Sequence, residues 1–167
     1  TKAGITRSKD GTRYYDNSLG HLELELDMSL KRLGLEQVDL FYVHRKDKDT
    51  EIEEVTESLA KLIKKGKIKQ FGFSEIAPTS LERASKVHPV AAVQSEYSLA
   101  TRYPELGLLQ KCLSLGTTMV AFSPVGRSIL TDNPHNRARA EKMPFLKNNP
   151  RFMSPNLERN VEVTKGF

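Results

Sequence analysis

Apolar and polar positions along this chain switch repeatedly between two periods. Four short, nearly continuous apolar runs each end in a polar signature: VDLFYVH at 38–44, IKQFGFSE at 68–75, VAAVQSE at 90–96 and TTMVAFSP at 117–124. Stretches of helical period precede or separate them. Leu19, Leu22, Leu26, Leu30 and Leu33 make one stripe, with Asn17 or Ser18 as N-cap and Gly34 as the closing glycine. Ile52, Val55, Leu59, Leu62 and Ile63 make a second face, with Thr50 and Glu53 read as a capping box and Gly66 as the stop. The same box is expected at Thr79 and Glu82, before Leu81, Ala84 and Val87, with Pro89 ending that helix. A fourth helix is expected over about 105–115, closed by Gly116.

Continuous apolar character suits strands covered on both faces, and tight helix-to-strand links such as Gly66-Lys67 and Gly116-Thr117 suit parallel ones. The expected class is therefore α/β, with one domain over residues 1–167. Thr1-Lys2 reads as the tail of a further strand, and Gly4 to Asp16 as a polar loop. Residues 127–155 carry Pro134, Pro144, Pro150 and Pro155 with few periodic apolar positions, and read as one long functional loop. A helix is expected to begin at 156 and run to 167. Both ends are expected to be cut, because the first lacks a complete strand and the last stops inside a helix.

Composition narrows the classes. The 167 residues are 38% hydrophobic and 28% charged, which describes a globular protein with a sizeable core. No apolar run approaches the roughly 20 residues of a membrane span, and no signal peptide is recognisable, so a cytoplasmic location is expected. The net charge of +5 is spread along helix faces without interleaved aromatics, which argues against nucleic-acid binding. Cys112 stands alone among Leu108, Leu109, Leu113 and Leu115 and reads as a buried structural thiol. No metal site is expected.

In parallel α/β sheets, ligands bind at the carboxyl ends of the strands. His44 stands at such an end and could donate a hydrogen bond to a carbonyl. Lys2 would project into the same mouth and could lower the pKa of a neighbouring acid. Ser74, Glu75 and Gln94 end the next two strands; turn capping explains each singly, while together they suit a planar amide. Phe122, Ser123, Val125, Gly126 and Arg127 offer a flat ring, a hydroxyl, close backbone approach and a guanidinium, a set suited to an aromatic ring and a phosphate.

These residues resemble the aldo-keto reductases, an NADPH-dependent (β/α)8 family. The match runs through TK at 1–2, SLKRLGLEQVDLFYVHR at 29–45, GKIKQFGFSE at 66–75, HPVAAVQSEYSL at 88–99, AFSPVGR at 121–127 and NLERN at 156–160. It is nearest to the branch of bacterial and plant general reductases and potassium-channel β subunits. The resemblance implies a partial TIM barrel, about strands 3–7 with their helices, lacking the first strands and the C-terminal part. It implies reduction of a small-molecule aldehyde or ketone with NADPH, and leaves the oligomeric state open. Lys2 and His44 take the places of the catalytic lysine and histidine. Ser74, Glu75 and Gln94 take those around the nicotinamide carboxamide. Phe122 takes the stacking position, and Ser123, Val125, Gly126 and Arg127 those near the pyrophosphate.

The family's catalytic Tyr and Asp precede residue 1, and Tyr14, Tyr15, Tyr42, Tyr97 and Tyr103 do not occupy that motif. The chain alone is thus expected to be a poor enzyme that associates through open sheet edges. Phe122 replaces a common Tyr, and Ala100 stands where many relatives have Trp, which widens the substrate side. The segment that selects NADP lies beyond Phe167 in the family. Two other classes remain at this point: a nucleotide-binding regulatory β-subunit-like protein with little turnover, and another parallel barrel enzyme such as a phosphate-binding isomerase.

Overall fold

The computed structural model of the chain describes residues 1–165. They form two compact units: Thr1–Ser95 with Pro104–Val120, and Glu96–Tyr103 with the chain from Ala121 onward.

The first unit opens with β1 (Lys2–Ala3), then a hairpin of β2 (Ile5–Arg7) and β3 (Arg13–Tyr15), then α1 (Leu19–Leu33). Strand and helix then alternate through β4 (Val38–Val43), α2 (Ile52–Lys64), β5 (Ile68–Ser74), α3 (Pro78–Val87), β6 (Ala92–Glu96), α4 (Leu108–Leu115) and β7 (Thr118–Phe122). One sheet runs β1-β4-β5-β6-β7, and within it β1, β4, β5 and β6 pair in parallel, as continuous apolar strands joined by helices require. Phe41 pairs with Phe71, and Val43 with Phe73 and so with Val93. That face packs with Leu22, Leu26, Ile52, Leu59, Leu62 and Leu81 of the helices into one core. Cys112 joins it, and burial pushes its thiol up.

Several local expectations are corrected. Residues 4–16 are a hairpin rather than a loop: Ile5 faces Tyr15, and the turn closes through Ser8 N–H to Thr12 O at 2.9 Å with Gly11 at φ 85°. Neither capping box forms. Thr50 is claimed by Asp47, so α2 starts from Glu51 without a side-chain cap, and Glu53 turns to Arg83 at 2.7 Å. α3 starts at Pro78, whose fixed φ suits a first turn, and Glu82 pairs with Lys111 at 2.9 Å. Leu33 and Val87 are exposed, because each stripe reaches solvent at the helix's last turn. The fourth helix is interrupted at Gly107 (φ 140°), leaving a 3₁₀ turn over Tyr103–Leu106 ahead of α4. Ser18 does cap α1, accepting from His21 N–H at 3.3 Å, and Gly34 closes it in the left-handed conformation.

The second unit is not a structureless loop. It holds α5 (Arg137–Glu141), a 3₁₀ turn at Pro150–Phe152, and α6 (Asn156–Thr164). Ile129, Ala140, Leu146, Phe152 and Leu157 bury one another in a small core of their own. Asn136 and Asn149 cap the two short turns, accepting from Arg139 and Arg151 N–H groups at 2.9 and 3.1 Å. The helix expected over 156–167 is α6; its last two expected residues, 166 and 167, lie outside the described residues. No helix among the described residues is long and apolar enough to cross a membrane.

Candidate active site

Parallel register places the first unit's chemistry on the sheet face opposite its core. Lys2 pairs with Tyr42, Tyr42 with Gly72 and Gly72 with Ala92. A side chain at Gly72 would put a Cβ 2.7 Å from the Tyr42 ring and 2.5 Å from Ala92 O, so glycine there makes room for the ring. The Lys2 ammonium lies 5.5 Å from that ring's centroid. Two residues further along, on the same face, come His44, Ser74 and Gln94, with Ser74 and Gln94 direct register partners. His44 is held to β1 by its N–H, which donates to Ala3 O at 2.8 Å.

The groups of this mouth engage one another. The Lys2 ammonium donates to Gln94 Oε1. Arg45 Nη1 donates to Ser74 Oγ at 3.0 Å and to the His44 carbonyl at 2.6 Å. With those lone pairs taken, the Ser74 O–H and the Gln94 amide N–H groups are left to donate, which suits an oxygen acceptor such as a carboxamide carbonyl. Burial, then the Lys2, Arg45 and Arg13 charges, hold His44 below the ordinary histidine value, so it is a neutral imidazole near pH 7. Burial and then Arg45 lower Lys2 also. Burial raises Tyr42, so nothing prepares its phenol as an acid. Glu75 sits at φ 57° just past the strand, its N–H donating to Gln94 O at 2.9 Å.

The remaining expected residues lie in the second unit or lead into it. Phe122 ends β7, and its carbonyl accepts from Tyr97 N–H at 3.2 Å. The turn after it is left-handed: Ser123, Gly126, Arg127 and Ser128 have φ of 52°, 58°, 56° and 88°. Three left-handed residues in succession are rare, since each non-glycine costs about 1–2 kcal/mol there. Gly126 also packs closely, a Cβ there falling 3.3 Å from Leu130. Val125 is half exposed. Arg127 is anchored: its Nη2 donates to Glu96 Oε2 at 2.7 Å, and its guanidinium lies 6.0 Å from the Phe145 ring centroid. Arg151 takes the other oxygen of Glu96 at 2.7 Å and bonds Thr101 Oγ1 at 2.7 Å. Burial alone would raise the Glu96 carboxyl, but Arg151 and Arg127 outweigh it and hold it below the usual range.

Arg45, Glu96 and Arg151 were not singled out by the sequence. Arg45 had a signal, because it immediately follows a strand-end histidine. Glu96 and Arg151 are 55 residues apart and had none. Among the described residues no group of three or more His, Cys, Asp or Glu is placed to hold a metal ion.

A family model, described as the aldo/keto reductase family, matches residues 1–165. The chain is 37% identical over 170 residues to the Schizosaccharomyces pombe aldo-keto reductase yakc, whose name carries NADP(+), covering 99% of this chain and 50% of that protein. It superposes on a glycerol dehydrogenase, AKR11B4 of Gluconobacter oxydans, with a TM-score of 0.85 and 26% identity over 99% of this chain and 52% of that one. A Klebsiella pneumoniae aldo/keto reductase solved in complex with NADP and acetate matches with a TM-score of 0.59 and 27% identity, over 65% of this chain and 39% of that one. The chain spans about half the length of the curated relatives it matches.

Proposed function

The chain belongs to the aldo/keto reductase family, and from that premise we propose that it serves NADPH-dependent reduction of aldehydes or ketones to alcohols. The observation that best supports this reading is the convergence of Lys2, His44, Ser74 and Gln94 on one strand mouth, with His44 kept neutral. The bound nucleotide would supply the hydride. The Ser74 hydroxyl and Gln94 amide would hold the carboxamide oxygen, with Glu75 completing that corner. Neutral His44 would donate to the substrate carbonyl and orient it. Lys2 would lower the pKa of the proton-donating tyrosine that this family uses. Phe122 would lie on the nicotinamide ring. Ser123, Val125, Gly126 and Arg127 would approach the pyrophosphate, with Arg127 tethered by Glu96 as it does so. A cytoplasmic location fits the buried, unpaired thiol of Cys112.

The test is NADPH oxidation with a small aromatic aldehyde, using the protein as its host cell makes it. Lys2→Met is expected to lower kcat by about 10²–10⁴-fold, the usual worth of acid–base assistance, while NADPH still raises the melting temperature. The 167 residues produced alone, lacking the motif tyrosine, are expected to give negligible turnover. Nucleotide binding with no turnover on any carbonyl would favour a regulatory protein instead. No thermal response to NADPH would discard the reading.

A further inference from the structure

The strands that carry Lys2 and His44 are tied together, just past their last ladder bonds, by a buried polar knot. β1 is only two residues long and leaves the sheet at Gly4, and β4 leaves it at Val43. Asn17, one residue ahead of the cap of α1, sits between these exits with 1% of its surface exposed. Its Nδ2 donates to Arg45 O at 3.0 Å, its Oδ1 accepts from Asp47 N–H at 2.9 Å, and its N–H donates to Asp47 Oδ2 at 2.9 Å. Asp47 then accepts from the N–H groups of Asp49 and Thr50 at 3.0 and 2.6 Å and from the Thr50 hydroxyl at 3.0 Å. On the other side a Cβ at Gly4 would fall 2.8 Å from Asn17 Nδ2, and Gly4 holds φ 95°, so only glycine lets β1 pass this close. Gly4 O accepts from Asp16 N–H at 3.3 Å.

We propose that Asn17, locked to Asp47 and seated against Gly4, is a positioning residue that sets the height of His44 relative to Lys2. A two-residue strand carries little register information of its own, and a one-residue slip would turn Lys2 to the opposite face. The knot supplies what β1 lacks. It bonds main-chain atoms at Arg45 and Asp47 beyond His44 and packs against the Gly4 backbone before the helix, so the two side chains are fixed through their own backbones. The inference rests on the reading that Lys2 and His44 serve one carbonyl, but its geometric claim is measurable without turnover.

The test follows the imidazole titration of His44 by NMR in the wild type, Asn17→Ala and Asp47→Asn, with His88 as internal reference. The charges facing His44 are Lys2, Arg45 and Arg13. With the knot cut, His44 gains water and loses its fixed place among them. Its midpoint is expected to rise toward the ordinary histidine value. In the carbonyl assay kcat is expected to fall by up to about 10²-fold, the cost of roughly 1 Å of misplacement, with the KM for NADPH unchanged. Asp47→Asn keeps the shape and removes acceptor capacity, so it decides the matter should Asn17→Ala not fold. Folded variants with lower melting temperatures but an unchanged His44 midpoint and kcat would overturn the proposal, as would loss of folding in both. A moving His44 midpoint in a protein without NADPH-dependent turnover would uphold the positioning and sink the reductase reading.

Discussion

The two units hold their irregular backbone by opposite means. In the first, the segments leaving β1 and β4 are fixed by one amide and one carboxylate, and all but one of the bonds these accept come from main-chain N–H groups. In the second, the left-handed turn at 126–128 closes on itself through short-range main-chain bonds, Gly126 N–H to Ser123 O at 2.9 Å and Ser128 N–H to Val125 O at 3.1 Å. Arg127 anchors it to one carboxylate, Glu96, held between two guanidiniums. Neutral donors around a buried acceptor work at short range and ignore ionic strength. Ion pairs with arginines still a quarter or so exposed, at 23% and 30%, do not. The first unit is thus built for permanence, and the second keeps its turn under an electrostatic latch that conditions can loosen.

The sharpest way to break this contrast is to remove each carboxylate in turn. Asp47→Ala strips acceptors from the buried Asn17 N–H and from the partly buried Asp49 and Thr50 N–H groups at once. It is expected to cost about 3 kcal/mol in urea unfolding of the first unit, at roughly 1–3 kcal/mol for a buried unsatisfied group and less where water can reach. Glu96→Gln leaves two arginines facing each other but still partly hydrated, and is expected to cost about 2 kcal/mol, read as faster hydrogen exchange at 126–130. Equal losses would mean that the two carboxylates do the same job and that the contrast is false.

How far the sequence foretold these devices depends on whether the cause is local. The strands and their mouth residues were legible because a continuous apolar run and its polar end lie within eight residues, and parallel register then aligns His44, Ser74 and Gln94 without further information. The hairpin was missed although Asp10-Gly11 signals a turn, because its strands are only three residues each and neither alternates apolar with polar residues. The capping box at Thr50 failed by competition, because Asp47, three residues upstream, offers Thr50 a better partner than its own helix does; the one at Thr79 failed because α3 already starts at Pro78. The second unit's core went unseen because Ile129, Leu146 and Phe152 follow no period. Asn17 was read as one of two possible caps, and only the approach of Gly4 and Asp47 gives it a different role.

Acid and salt separate the two latches. Both carboxyls have folded pKa values below their unfolded ones, Asp47 because its N–H and hydroxyl donors outweigh burial, Glu96 because its arginines do. The stability each contributes is therefore complete above the ordinary carboxylate range and is lost as pH falls below that range through the lowered value. Acid should loosen both units. At neutral pH, 1 M sodium chloride shortens the screening length to about 3 Å, and of these two latches should weaken only the one at Glu96, by about 0.5 kcal/mol for partly exposed pairs. Salt-sensitive exchange at Asp49 and Thr50 N–H groups would contradict the neutral character of the first latch.

The smallest effect locates the strain. Ser128 holds φ 88°, and Ser128→Gly should relieve about 1 kcal/mol of left-handed backbone cost. The same change removes the bond that Ser128 Oγ accepts from His135 N–H at 2.9 Å, worth about 1 kcal/mol, and frees the unfolded chain. The expected net change in unfolding free energy is within about 0.5 kcal/mol of zero, because the turn is held by Arg127 and its carboxylate. A stabilisation above about 1 kcal/mol would show that Ser128 itself is forced into place. The latch would then act against the backbone at residue 128, and the exchange rates of Glu96→Gln should fall back toward wild type when the two changes are combined.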